Sequence, residues 1–288
     1  MQSIGIYYFS GTGNTKIAAG RFRDEFVKSG CKVDVIRIED VLKNRSAIEP
    51  EKYDILGIGS QIIGFGTPNI VREFVKLLPE GNGKKVFIFR TAGGVAPVNY
   101  NASKPLIRRL SRKGYKVFHE RVFSIGSNWV TEFDINVIKR LYEATNKKIA
   151  SMCKKVLAGE NRILSTGMGL KAAMELAMPL FTWMLRFAGK DMTVSKACSS
   201  CGSCIKKCPA QNIYEKNGKI KFKLSCSCCM RCVYSCPQNA INFRLLKFFP
   251  VPGGYDIEKI LSTSGSSDSS VNKAVPPFFN DYIANDDI

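Results

Sequence analysis

Apolar positions in the first half of the chain fall into short runs separated by stretches of helical spacing. IGIYYF, residues 4–9, is a β-rich apolar run. The stretch from Lys16 to Ser29 behind it has helical periodicity and is closed by Gly30. CKVDVIRI alternates as a strand with one wet face, and YDILGIGS reads as a buried strand. Pro68 stands at the favoured first-turn position of the helix NIVREFVKLL. KKVFIFRTA is a fourth strand, LIRRLSRKGY a helix stopped by Gly114, and KVFHERVFSI a fifth strand. The segment from Phe133 to Leu157 is the last helix of this half. Five strands alternating with helices over residues 1–158 predict an α/β fold, a doubly wound five-stranded parallel sheet.

Ligands of such sheets bind beyond the carboxyl ends of the strands, at the point where strand order reverses. Three polar loops fall at those ends: Ser10 to Thr15, Gln61 to Thr67, and Thr91 to Asn99. The first, SGTGNTK, lacks the Gly-Lys-Ser/Thr ending of a nucleotide-triphosphate loop. It also has Lys16 where a dinucleotide fingerprint needs its third glycine. Free backbone N–H groups, several hydroxyls and the positive end of a helix dipole suit a phosphate monoester held without a metal. An ordinary strand-to-helix turn is the plain alternative.

Ser10, Thr12, Gly13 and Thr15 match, position for position, the Ser/Thr-x-Thr-Gly-x-Thr loop of the flavodoxins, which this part of the chain resembles. The resemblance implies a flavodoxin-like strand order and FMN, its phosphate in the loop Ser10, Gly11, Thr12, Gly13, Asn14 and Thr15. It also implies a flavin ring between the second and third loops. There the expected neighbours are Ile63, Gly64 and Phe65 on one side and Thr91, Ala92, Gly93 and Gly94 on the other. Gly64 is the candidate to present its backbone to the ring. The third loop has no aromatic before Tyr100, which either covers the ring or simply packs.

Eleven cysteines change the picture of the second half, because nine of them lie between Cys198 and Cys236. MQSIGIYYFSG has no basic n-region of a secretory signal, so a cytoplasmic protein is expected, where crowded cysteines bind metal more often than they pair. CSSCGSCIKKCP and CSCCMRCVYSCP are two copies of C-x2-C-x2-C-x3-C-P. Zinc is the plain alternative for CxxC pairs. The repeat is similar to the bacterial two-cluster ferredoxins, in which the last cysteine of each motif crosses to the other cluster. The resemblance implies a small α+β domain with two [4Fe–4S] clusters. One would be held by Cys198, Cys201, Cys204 and Cys236, the other by Cys226, Cys229, Cys232 and Cys208. Cys228 is a spare thiol. Cys31 and Cys153 read as small core residues, and His119, the lone histidine, lies mid-strand with no chemistry assigned to it.

The domains expected are 1–158, flavodoxin-like and FMN-binding; 159–192, an amphipathic helical linker; 193–245, the ferredoxin domain; and 246–288, a partly flexible extension. In the linker, Lys171 and Glu175 would each cost about 3 kcal/mol at a bilayer centre, which argues against a span. Lys171, Glu175, Thr182 and Arg186 share one stripe at about 100° per residue, and Pro179 is expected to break or kink the helix. Packing between the two modules, a dimer seam and peripheral membrane contact are the open roles for its apolar surface. STSGSSDSS and the final NDDI read as flexible, while PPFFNDYI either docks on the body or binds nothing.

The formal charge of +19 has no nucleic-acid-binding motif beside it; it reads as a solvated basic surface, or as docking to acidic partners or anionic lipid, and the partners expected are acidic redox proteins such as other ferredoxins or flavoproteins. No nucleophile–base pair and no second nucleotide-binding unit is evident. Taken whole, the chain resembles the flavodoxin–ferredoxin fusion proteins of anaerobic bacteria and archaea. That resemblance implies an electron-transfer protein relaying electrons between FMN and the clusters. The alternatives are a flavin-dependent oxidoreductase supplied by the clusters, and a redox sensor.

Overall fold

The computed structural model describes residues 1–44, 48–263 and 277–285, with the side chains of Lys171, Pro277 and Phe278 left out. Five parallel strands form the main sheet: β1 (Ser3–Phe9), β2 (Lys32–Arg37), β3 (Ile55–Gln61), β4 (Lys85–Ala92) and β5 (Lys116–Ser124). Their order is β2-β1-β3-β4-β5, the flavodoxin-like order, with the reversal between β1 and β3. The strands β1, β3 and β4 are buried on both faces, as near-continuous apolar runs require. On one face α1 (Asn14–Lys28), through Phe22 and Phe26, and α5 (Ile135–Leu157) cover Phe87, Phe89 and Phe123. On the other, α2 (Ile38–Lys43), α3 (Asn69–Leu77) and α4 (Lys104–Arg112) cover Tyr7, Phe9, Leu56, Ile58 and Ile88.

Helix starts follow local chemistry. The last sheet helix begins at Ile135, two residues later than its periodicity predicts, because the Asp134 side chain accepts from Asn136 N at 2.8 Å and caps it. Likewise Pro68 precedes the first turn of α3 instead of opening it. Mid-strand His119 is buried, its Nδ1 2.9 Å from the Glu160 carbonyl, and burial holds its pKa below the usual value.

The linker forms α6 (Met168–Asp191), which runs unbroken through Pro179, contrary to the expected break. Pro179 removes one N–H, but it sits on the exposed side, where water can take the released carbonyl. Thr182 Oγ1 also donates to the carbonyls of Met178 (2.8 Å) and Pro179 (3.1 Å). Among the described residues, no helix is long and apolar enough to cross a membrane.

The cysteine-rich segment contains β6 (Met192–Val194), α7 (Ser203–Lys207), β7 (Ile213–Lys216), β8 (Lys219–Phe222), α8 (Arg231–Tyr234) and β9 (Ile241–Phe243). β6 pairs antiparallel with β9, so the first and last strands close the unit, and β7 and β8 form a hairpin. That hairpin turns at Asn217 and Gly218, both at positive φ, as a two-residue turn of matching twist demands. Two further helices follow, α9 (Ile257–Ser262) and α10 (Pro277–Ala284). Most of the STSGSSDSS stretch and the last three residues lie outside the described residues.

PPFFNDYI docks. Phe279 and Tyr282 of α10 are buried against Val137, Leu141 and Ala144 of α5. The Tyr282 hydroxyl accepts from Ser124 N at 3.1 Å and lies 2.7 Å from Thr145 Oγ1, tying the extension to the end of β5. Phe279→Ala should therefore destabilise the protein by about 3–5 kcal/mol, read by urea unfolding.

Candidate functional site

Four loops at the carboxyl ends of β1, β3, β4 and β5 line a cavity of about 130 Å³. Gly13 precedes α1 at φ 110°, and a Cβ there would stand 2.5 Å from Ile257 Cγ2, so the position demands glycine. No side chain caps α1 and no acid occupies its first turn, which leaves the leading N–H groups and the dipole open to an anion. Ser10 Oγ accepts from Gly13 N at 3.1 Å, and Thr15 Oγ1 lies 2.8 Å from Thr91 Oγ1, joining the first loop to the third. Asn128 Nδ2 donates to Thr12 Oγ1 at 2.8 Å, and Asn14 Nδ2 to the Gly126 carbonyl at 3.0 Å. These residues suit a phosphate monoester: several hydroxyls converge on a helix N-terminus, and the cavity lining contains no carboxylate.

The second loop is shaped from beneath by Arg90, which is 1% exposed. Its guanidinium donates to Thr67 Oγ1 and the Gly66 carbonyl, both at 3.0 Å. Burial pulls its pKa down to about 10, against the opposing pull of Glu120, and it remains a cation at neutral pH. Above it, Gly64 and Phe65 turn at φ 55° and 57° between the paired Ile63 and Gly66.

Of the residues expected near FMN, Ser10, Gly11, Thr12, Asn14, Thr15, Ile63, Thr91, Ala92 and Gly93 line this cavity. Gly13 lines the adjoining groove. Gly64, Phe65, Gly94 and Tyr100 are absent from the cavity lining. The side chains of Leu185 and Phe181 from α6 cover Gly64, and the Phe65 ring packs on Phe181 with centroids 5.7 Å apart. Tyr100 ends the short turn Pro97–Asn99, away from the lining. Gly126, Ser127, Asn128 and Trp129 stand in the lining instead, from a fourth loop that sequence reasoning passed over. Its signal was there: GSNW follows β5 with the same small polar composition as the other three loops.

The wall opposite the sheet comes from the cysteine-rich segment. Cys228 and Cys229 line the cavity. A Cβ on Gly11 would lie 2.3 Å from the Cys229 carbonyl oxygen, so only glycine allows this approach. Trp129 Nε1 donates to the Cys228 carbonyl at 3.1 Å, and its ring stacks on Phe249 with centroids 5.2 Å apart. Arg231 fastens the contact: it donates to the carbonyls of Ser10 and Gly11 and pairs with Glu39.

The eight repeat cysteines surround two smaller spaces. One is lined by Cys198, Cys201, Cys204 and Cys236, the other by Cys208, Cys226, Cys229 and Cys232, each with a free volume of about 20 Å³. Each group takes three thiols from one repeat and one from the other. The repeats also match in backbone: Ser200 and Gly202 are left-handed in the first, Cys228 and Met230 in the second. Asn212 N donates to Cys208 Sγ at 3.2 Å and Ala240 N to Cys236 Sγ at 3.3 Å, an equivalent pair of N–H···S bonds. Burial pushes the Cys229 thiol up to about 12 and Cys232 well above its ordinary value. Among the described residues, no three His, Cys, Asp or Glu side chains converge as a single-ion site.

Cys228 is fully buried, and its Sγ donates to the Leu185 carbonyl of α6 at 3.3 Å. Its contact with Cys226, and then burial, hold this thiol protonated. Cys31 and Cys153 are buried in the sheet core.

No family model matches the chain, and no curated protein matches it. Among solved structures it is similar to oxidised flavodoxin 1 from Bacillus cereus, at 18% identity over 55% of this chain and 98% of that one, with a TM-score of 0.41. Oxidised flavodoxin 2 from the same organism is 19% identical over 54% and 98%, with a TM-score of 0.42. An apo NADH:FMN oxidoreductase is 18% identical over 59% and 94%, with a TM-score of 0.40.

The close approach at Gly11 gives a paired prediction. Gly11→Ala should destabilise by about 1–3 kcal/mol through overpacking against Cys229. Gly20→Ala, inside α1 with open space around it, should be neutral or stabilising by up to about 1 kcal/mol. Chemical unfolding of the two variants checks both.

Proposed function

We propose that the chain is an electron-transfer protein that holds FMN in the four-loop cavity and a [4Fe–4S] cluster in each four-thiol space, and passes electrons on to redox partners. The observation that carries this reading is the shared wall. The segment 226–232 supplies three of the four thiols around one space, and the same segment closes the loop cavity at Cys228 and Cys229. When bound, FMN takes up electrons singly or in pairs and a cubane cluster takes them one at a time, so the two together match two-electron to one-electron chemistry.

The chain's own residues have separate tasks in this arrangement. Ser10, Thr12, Thr15 and the first turn of α1 bind the phosphate. Arg90 holds the second loop in place from below. Trp129, Cys228 and Cys229 keep water from the cavity wall that faces the thiols. Pro209 and Pro237 end the two motifs where each chain segment crosses toward the other repeat. Cys201 is exposed, with exposed Lys196, Lys206 and Lys207 near it in sequence, which supports the approach of an acidic redox protein at that end.

Thr12→Ala should weaken FMN binding about tenfold, as the loss of one hydroxyl contact to a charged group implies, and leave the iron content unchanged. Cys236→Ala should remove the cluster of its own space and lower iron and sulfide by at least half, with flavin retained. Anaerobic counts of flavin, iron and acid-labile sulfide per chain check both variants. A purified, anaerobically reconstituted protein that takes up zinc but no iron would defeat the reading.

A further inference from the structure

The helix α6 has two apolar faces, and only one of them is used. Met174 is buried, and Met178, Leu185 and Ala188 are buried against the second loop and the cysteine-rich core. On the other side Leu176 (83% exposed), Leu180 (60%), Trp183 (52%), Met184 (54%) and Phe187 (45%) face solvent. At about 100° per residue these five share one arc, and at 1.5 Å per residue the helix is about 36 Å long. Phe181 and Phe65, paired ring to ring, extend the apolar surface toward the second loop. Such a contiguous patch on a folded protein marks something that covers it.

Charge identifies the occupant. Arg186 and Lys190 border the arc on the Trp183 side. Glu175, the one acid within the helix before its last residue, is neutralised by Arg108 at 2.8 Å. A second copy would bring a second cationic edge to a chain already at +19, which opposes self-association through this face. An apolar arc of Leu, Met, Phe and Trp with a basic border, on a helix not apolar enough to span, has the composition of a helix that lies in a membrane interface.

We propose that α6 docks the protein on an anionic lipid surface, with Leu176, Leu180, Trp183, Met184 and Phe187 entering the acyl boundary and Arg186 and Lys190 meeting the headgroups. The proposal does not rest on the identity of the cofactors. The protein would then be held at a membrane face by its linker helix.

The test is co-sedimentation of the full chain with phosphatidylcholine vesicles and with vesicles that also contain phosphatidylglycerol. Binding should require the anionic lipid and weaken as salt rises. Leu176→Glu combined with Leu180→Glu should lower it by about tenfold or more, with the circular dichroism spectrum and unfolding midpoint unchanged, because both side chains are solvent-facing. In the unsubstituted chain, lipids brominated on the acyl chain should quench tryptophan emission, and Trp183→Phe should abolish that quenching. Failure of the unsubstituted protein to bind anionic vesicles, equal binding by the double variant, or quenching that survives Trp183→Phe would overturn the proposal. So would sedimentation velocity that shows a dimer dissociated by the double variant, which would assign the face to a second copy.

Discussion

The structure depends on one backbone contact: the Cys229 carbonyl against the Cα of Gly11. A loop at a helix N-terminus carries unpaired N–H groups and resists close approach by anything with bulk. Here a glycine at that point lets another polypeptide segment seat against the loop, and Arg231 fills the carbonyl side by donating to Ser10 and Gly11. The Arg231–Glu39 pair is nearly buried, so its attraction is set against the desolvation of both groups. What makes the arrangement favourable is that the guanidinium also satisfies carbonyls that burial would otherwise orphan.

A second contact rests on the first. The core of the cysteine-rich unit is not self-contained: Ile63 of the second loop and Leu185 and Ala188 of α6 pack into it with Ile213, Phe222, Ile241 and Phe243. A segment of this size has little apolar material of its own, and borrowing surface from neighbours is how small units reach stability. The buried Cys228 thiol, bonded to the Leu185 carbonyl, fixes where the borrowed helix sits. The linker is thus a structural member of both halves on one side and a solvent-facing apolar surface on the other.

Much of this was legible in the sequence. Alternating strand and helix signals pointed to five parallel strands, because buried parallel strands read as apolar runs and the crossover rule leaves few ways to join them; the strand order came with the flavodoxin resemblance. The crossed grouping of the thiols came from the resemblance to two-cluster ferredoxins, and the same two groups line the two spaces. The flavin-side residues were less legible. Gly64 and Phe65 have the composition of a ligand loop, but α6 packs on them, and no local pattern reveals that a distant helix will claim a turn. Trp129 was missed for the converse reason: its loop belongs to the cavity only because the cysteine-rich segment closes over it and bonds its indole. Pro179 misled because a proline's effect depends on which side of the helix it occupies, and here that side is wet. Long-range contacts decided the loop cases, and solvent exposure decided the proline.

The most direct test of the account is an anaerobic crystal structure of the loaded protein with diffraction collected at the iron edge. Two iron-specific anomalous peaks should appear, one amid Cys198, Cys201, Cys204 and Cys236 and one amid Cys208, Cys226, Cys229 and Cys232. Flavin density should fill the cavity whose wall is Cys228 and Cys229. Anomalous signal at the zinc edge alone, or flavin density on the far side of the phosphate loop from that wall, would contradict it.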